Sequence, residues 1–142
     1  MPLWRWFPRY RFQVSGSSME PAYPDGRHVW VSGLAFLFRA PVRGDVVVVH
    51  SPTASDRLEL KRIIGLPGEK IAWSRGAFRV NDVMLEELYA RIPAAPPSDD
   101  ETRHCRLGCG QYFVAGDNRP HSTDSRAYGP IPRVAIAGQV RC

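Results

Sequence analysis

The chain has no run of 18 or more apolar residues anywhere in its 142, so no segment reads as a transmembrane helix. Its N-terminus has no apolar stretch and no small-residue cleavage site of the kind a secretory signal peptide needs. No G-x-S-x-G elbow is present. The four histidines (His28, His50, His104, His121) show no spacing of a Ser-His-Asp hydrolase. Cysteine is scarce: Cys105, Cys109 and Cys142 are the only three. A single C-x3-C pair supplies too few ligands for a structural zinc site, so no metal and no cofactor is expected. A local Cys105–Cys109 disulfide and two separate thiols both stay open, and so few cysteines do not decide the compartment. There is no internal repeat at a fixed period. Long helices are disfavoured as well, because 13 prolines and 12 glycines punctuate the chain every few residues.

What is present is a mildly basic chain of single-domain size. Nineteen Lys+Arg against 14 Asp+Glu give +5, with part of the excess in Arg5, Arg9 and Arg11. The other basic residues are scattered, which argues against a nucleic-acid partner and leaves a weaker attraction to an anionic surface. Residues 1–14 read as a basic aromatic arm in which Trp4, Trp6 and Phe7 alternate with arginine. Such residues suit a membrane interface, and packing of the aromatics onto the domain is the competing expectation.

From residue 15 to 142 the chain reads as one mainly β domain of antiparallel sheets with few short helical turns. Phe12–Val14 alternates as a strand. Arg27–Ser32 alternates as a half-buried strand, and Asp45–His50 is β-branched and apolar almost throughout, as in a central strand. Leu34–Phe38 is a short apolar run for which core packing is the default. Leu58–Gly65 is the next strand, with Lys61 in its middle. In an isolated strand alternation would turn Lys61 to solvent, because burying a lone charge is costly. Lys70–Trp73 and Ala77–Val80 form a hairpin, residues 84–92 a short strand or helical turn, and residues 93–110 a surface loop rich in Pro, Asp, Gly and Ser. Gln111–Ala115 and Val134–Val140 supply the last strands.

Three segments are polar where a plain β domain has no need of it: 15–21, 61–62 and 116–126. Ser18 lies in Ser15-Gly16-Ser17-Ser18-Met19-Glu20-Pro21. A serine hydroxyl is a weak nucleophile until a neighbouring base takes its proton, and with no suitable histidine Lys61 is the base to test. Four blocks then occur in order: the serine loop ending in Met19-Glu20-Pro21, Gly44-Asp45-Val46-Val47-Val48-Val49, Leu60-Lys61-Arg62-Ile63-Ile64-Gly65-Leu66-Pro67-Gly68-Glu69, and Gly116-Asp117-Asn118-Arg119 continuing through Ser122, Asp124-Ser125-Arg126 and Gly129. Together they resemble the type I signal peptidases, the Ser-Lys serine proteases that remove signal peptides.

The resemblance implies a coiled, barrel-like catalytic domain of the signal-peptidase/SOS-repressor type. It implies a serine endopeptidase that cuts after a small-x-small motif. Ser18 matches the nucleophile, Lys61 the general base, and Ser122 the serine that orients the lysine. Asp124 and Arg126 match a structural ion pair, which Arg62 is placed to join, while Asp117 and Asn118 hold the turn. The Ser18 backbone N–H matches the first oxyanion donor. The second, a hydroxyl two residues earlier in some members, is replaced here by Gly16. A preprotein or proprotein would bind as an added strand between residues 12–15 and 58–60, with shallow pockets from Val14, Gly16, Met19 and Leu60.

Two departures bear on location. Typical members carry N-terminal membrane-spanning helices and a large β insertion, whereas here about a dozen residues precede the serine block and the insertion is about 45 residues. The expected location is the cell membrane, peripherally or through an anchor outside this chain, with a soluble cytoplasmic form left open. Two alternative functions are carried: a maturation protease for one client such as nickel superoxide dismutase, and a catalytically inactive membrane-surface binding module on the same fold. A self-cleaving SOS-response repressor is disfavoured, since no DNA-binding segment precedes the serine.

Overall fold

The computed structural model describes residues 9–54, 56–94 and 99–141. Trp4, Trp6, Phe7 and Cys142 lie outside them. Among the described residues eleven strands form two antiparallel sheets. The larger has the order β1 (Tyr10–Gln13), β2 (His28–Ser32), β11 (Ile136–Arg141), β3 (Val46–His50), β4 (Leu58–Gly65), β9 (Gln111–Ala115) and β10 (Ile131–Pro132). It curls as a half-barrel. The smaller has the order β7 (Val83–Met84), β6 (Ala77–Val80), β5 (Lys70–Ser74) and β8 (Arg103–Arg106). The one α-helix among the described residues is a single turn, α1 (Ser125–Tyr128).

The valine run of β3 is continuous because both faces of the sheet are covered there. Val46 and Val48 pack into one core with Val14, Met19, Val31 and Leu60. Val47 and Val49 pack into the other with Ile63, Val114 and Ile136. A strand buried on both faces loses the apolar–polar alternation of a half-solvated one. A third core, around Ile64, Ile71, Phe78 and Phe113, joins the two sheets.

Three local expectations change. Arg103–Arg106 is not loop: it pairs in register with Lys70–Trp73 as β8. Its polar sequence hides it, since three of its four side chains are exposed. In Leu34–Phe38 only Phe36 packs against the core, under the guanidinium groups of Arg39 and Arg133, while Leu37 and Phe38 are exposed. Residues 10–13 are an edge strand of the large sheet, in register with Val31 to His28, so the sheet begins inside the basic arm.

One ion pair ties the small sheet to the polar loop at 116–126. The Arg119 guanidinium donates to both carboxylate oxygens of Glu87, at 2.6 and 2.9 Å, and to the Gly76 and Gly116 carbonyl oxygens, each at 2.7 Å. Neither charged side chain has any exposed surface. Removing one partner of such a pair leaves an uncompensated buried charge. Glu87→Ala should therefore cost about 3–5 kcal/mol in urea denaturation. Glu101→Ala, which breaks the exposed Arg75–Glu101 pair, should leave the midpoint almost unmoved.

Candidate active site

Ser18 sits in a turn that follows β1, in a loop bound to the segment after β9. The Asn118 N–H donates to the Ser18 carbonyl at 2.9 Å, and the Asn118 side-chain amide donates to the Ser17 carbonyl at 3.0 Å. Gly116 makes the contact possible. A Cβ there would stand 2.6 Å from the Ser18 carbonyl oxygen and would collide with the Ser122 hydroxyl. No side chain fits between the Ser18 backbone and the Ser122 side chain, and only the close approach itself, absent from the sequence, could have marked Gly116.

Lys61 enters from the middle of β4 and is only 3 % exposed. Cores cover both faces of the sheet at this point, so alternation has no solvent side to offer it. The Lys61 Nζ lies 3.2 Å from Ser18 Oγ and 3.5 Å from Ser122 Oγ. The Ser122 hydroxyl donates to Asp124 Oδ2 at 2.8 Å, which leaves its lone pairs to accept from the amine. One amine N–H is thereby drawn to Ser122, and in the neutral form the nitrogen lone pair is free to turn toward Ser18. Asp124 is fixed in turn by the Gly116 N–H at 3.0 Å and by Arg126, whose Nε and Nη2 each donate at 2.9 Å.

The expected partner of Arg62 needs correction. Arg62 does not join the Asp124–Arg126 pair. It forms a bidentate pair with the fully buried Asp117, at 2.7 and 2.8 Å, and stacks 3.8 Å over the Tyr89 ring. Adjacent strand residues point to opposite faces, so Arg62 cannot share the pocket that Lys61 occupies.

The surroundings of Lys61 lower its proton affinity. Burial lowers its proton affinity, opposed by the nearby carboxylates of Glu59 and Asp124 and assisted by Arg57 and Arg126. Burial alone would raise the Asp124 carboxyl, but the Arg126 hydrogen bonds hold it below the ordinary aspartate range. Glu59 is a residue the sequence reasoning missed. It lies two places before Lys61 on the same face of β4, and its Oε2 is buried with no hydrogen-bond partner among the described residues.

Ser18 and Lys61 open into a cleft of about 290 Å³. Val14 and Gly16 line one side, and Leu58, Glu59 and Leu60 the other, with His121 and Thr123 also at its wall. Met19 is fully buried in the core beside Val14 and Leu60 and is not among the cleft's lining residues, so it backs the wall that it was expected to form. Gly16 has φ +86°, a left-handed backbone that side chains rarely adopt, and its N–H donates to Asp25 Oδ1 at 2.8 Å. The missing hydroxyl is thus bound up with the backbone path of the loop. Cys105 and Cys109 are not bonded to each other.

An edge of β4 is also free. Leu58–Arg62 pairs with β3 on one side, whereas β9 takes up the other side only from Arg62 onward. Backbone groups of 58–61 therefore face the cleft without a neighbouring strand, an arrangement that can accept an extended peptide.

The family description for signal peptidase, peptidase S26, matches residues 3–142. The chain belongs to this family. It is 31% identical over 139 residues to signal peptidase I V of Bacillus subtilis, covering 91% of this chain and 82% of that protein. It is 36% identical over 132 residues to a probable signal peptidase I-2 of Synechocystis, covering 89% of this chain and 58% of that relative's length. A crystal structure of a signal peptidase I from Enterococcus faecalis matches with TM-score 0.62 and 28% identity, over 72% of this chain and 98% of that one. The mainly β fold and the signal peptidase I type of serine endopeptidase follow from these matches. Neither a nickel superoxide dismutase maturation protease nor an inactive binding module is favoured by them. Among the described residues no helix is long and apolar enough to cross a membrane.

Two outcomes test the electrostatics of this signal peptidase-family site. Direct titration of the Lys61 amine by nitrogen-detected NMR should give a pKa below the ordinary 10.5, and lower still in Glu59→Gln, which removes the largest opposing charge. Lys61→Met should raise the unfolding midpoint at neutral pH by removing an amine whose proton affinity burial depresses. A base whose folded pKa is depressed destabilises the fold below that pKa and ceases to do so as pH rises to its unfolded value. The advantage of Lys61→Met should therefore shrink as pH climbs toward 10.5, measured by denaturant titrations across that range.

Proposed function

We propose that Ser18 is the nucleophile and Lys61 the general base of an endopeptidase that removes N-terminal leader or signal segments after a small-x-small motif. The observation that carries this reading is the buried Lys61 amine 3.2 Å from Ser18 Oγ. The substrate lies as an extended strand on the free edge of β4 at Leu58–Leu60, opposite residues 12–15. Neutral Lys61 takes the Ser18 proton as Oγ attacks the scissile carbonyl. The Ser18 N–H makes no hydrogen bond among the described residues and is available to the oxyanion. The Lys61 ammonium then gives its proton to the leaving amine, which departs as the new N-terminus. Water, deprotonated by the same amine, releases the acyl group from Ser18. Ser122 holds the amine in line between these steps, and Asp124 with Arg126 fixes Ser122.

Burial suits Lys61 to this task, because a base at its ordinary pKa would be almost wholly protonated near neutral pH. Short apolar side chains near the cut suit the cleft, since the almost fully buried Val14 and Leu60 line it with Ser18. Attachment to a membrane surface through Trp4, Trp6 and Phe7 belongs to the same reading. It would place the cleft near preproteins held at a bilayer.

Incubation with preproteins, followed by mapping of the new N-termini, is the deciding experiment. Ser18→Ala and Lys61→Ala should each lower cleavage by at least about a thousandfold, and Lys61→Arg should not restore it, because arginine stays protonated. Activity should rise from acidic toward alkaline pH with the deprotonation of Lys61. Full activity in either alanine variant, or a profile flat through the neutral range, would sink the dyad. Vesicle flotation with and without residues 1–8 tests the membrane contact.

A further inference from the structure

A second cleft opens on the far side of the 119–126 loop, and the reaction as read above leaves its purpose unassigned. It runs between that loop and the small sheet, from Ser122 and Asp124 to Arg75, Glu101 and Arg103. Topology decides what can reach it. A peptide paired to the free edge of β4 can follow it only over Leu58–Lys61, because Ala115 of β9 occupies the same edge at Arg62. The chain beyond the scissile bond must therefore leave β4 at Lys61. The leaving amine has to lie at the Lys61 Nζ to receive its proton, and Ser122, 3.5 Å from that nitrogen, is a wall of the second cleft. The continuation of the substrate and the mouth of this cleft coincide at Ser122.

The lining of the cleft has one positive charge left over. Arg75, Arg103, Arg119 and Arg126 line it with Glu101 and Asp124, and Arg119 is neutralised by its buried pair with Glu87. Arg126 is held by Asp124, and Arg75 by Glu101. Arg103, exposed on β8, makes no ion pair among the described residues. It stands on the strand that the sequence reads as loop.

We propose that this cleft receives the first residues after the cut, and that Arg103 gives it a preference for acidic side chains at the second or third of them. The proposal rests on the signal peptidase reading, which sets the position of the scissile bond. Three extended residues span about 10 Å, enough to carry a side chain from Ser122 onto the small sheet. The partner is the mature end of the substrate, since it alone is covalently led to the cleft mouth.

The test uses peptides identical before the cut and carrying Glu-Glu, Ala-Ala or Lys-Lys at the second and third positions after it. At low ionic strength kcat/KM should be about three- to tenfold higher for Glu-Glu than for Lys-Lys, the range of one or two partly exposed charge contacts. About 0.5 M salt should compress the ratio. Arg103→Glu should abolish or invert it. Arg79→Glu, an exposed change on β6 outside the cleft, should leave it as in the wild type. A ratio near one in the wild type, or a ratio unchanged in Arg103→Glu, overturns the proposal. Anisotropy binding of the same peptides to Ser18→Ala, with and without Arg103→Glu, reads the charge preference independently of turnover. If no peptide is cut yet Arg103-dependent acidic binding persists, the catalytic reading fails and the cleft assignment stands. If the Ala-Ala peptide is cut but charge has no effect in either assay, the reverse holds.

Discussion

The constraint on which this molecule turns is the burial of one amine. Lys61 is placed in the middle of a strand covered on both faces, where a cation is poorly solvated and the amine's proton affinity falls. The surroundings keep that bias without overwhelming it. Glu59 and Asp124 pull the proton affinity back up, while Arg126 binds both oxygens of Asp124 and so spends most of that carboxylate's field locally. An unpaired Asp124 at the same place would stabilise the ammonium more and raise the proton affinity of Lys61. The Asp124–Arg126 pair thus has two effects: it fixes Ser122, and it keeps a structural carboxylate from undoing the desolvation of the base.

A short contact between two side chains from distant parts of the chain needs both backbones held. Here the holding is done by hydrogen bonds from polar side chains. Asn118 grips Ser17 and Ser18, Arg62 grips Asp117, and Arg119 joins Glu87 to the carbonyls of Gly76 and Gly116. Buried ion pairs of this kind contribute little net stability compared with apolar packing. They contribute direction: each fixes the angle of a loop whose apolar content is too small to fix it by packing. The segment 116–124 is buried over much of its length yet has few apolar side chains, so hydrogen bonds carry its placement.

Much of the architecture was legible in the sequence, for definable reasons. The Val46–Val49 run marked a central strand because only burial on both faces tolerates it. Ser18, Lys61 and Ser122 were legible because four sequence blocks occur in the order of a known family, and the structure brings those three side chains together. Their catalytic roles belong to the proposal. Other features were hidden. The partner of Arg62 depends on which face of β4 meets which loop, and the sequence around Asp124 and Asp117 offers two equally plausible carboxylates. β8 escaped because it is paired on one side only and carries Arg, His, Cys and Arg, a pattern without apolar periodicity. Met19 looked like a cleft residue from its place next to Ser18, but adjacent residues in a tight turn point apart, and Met19 points into the core.

The free edge of β4 is a liability in an ordinary β protein, since unpaired backbone groups invite another strand. In this chain the edge is short and guarded. It is bounded by Arg57 at one end and by β9 at Arg62 at the other, so only about four residues are open. That length is too little to nucleate extended sheet pairing between copies, but it is enough to register a short peptide. On the proposed reading, the same boundary sets where the substrate is cut. A strand laid on Leu58–Lys61 runs out of edge where β9 begins, and the peptide bond that stands there is the one beside Ser18 and the Lys61 amine. The point of cleavage is then a consequence of sheet topology, and the side-chain pockets need only select among peptides that the backbone has already aligned.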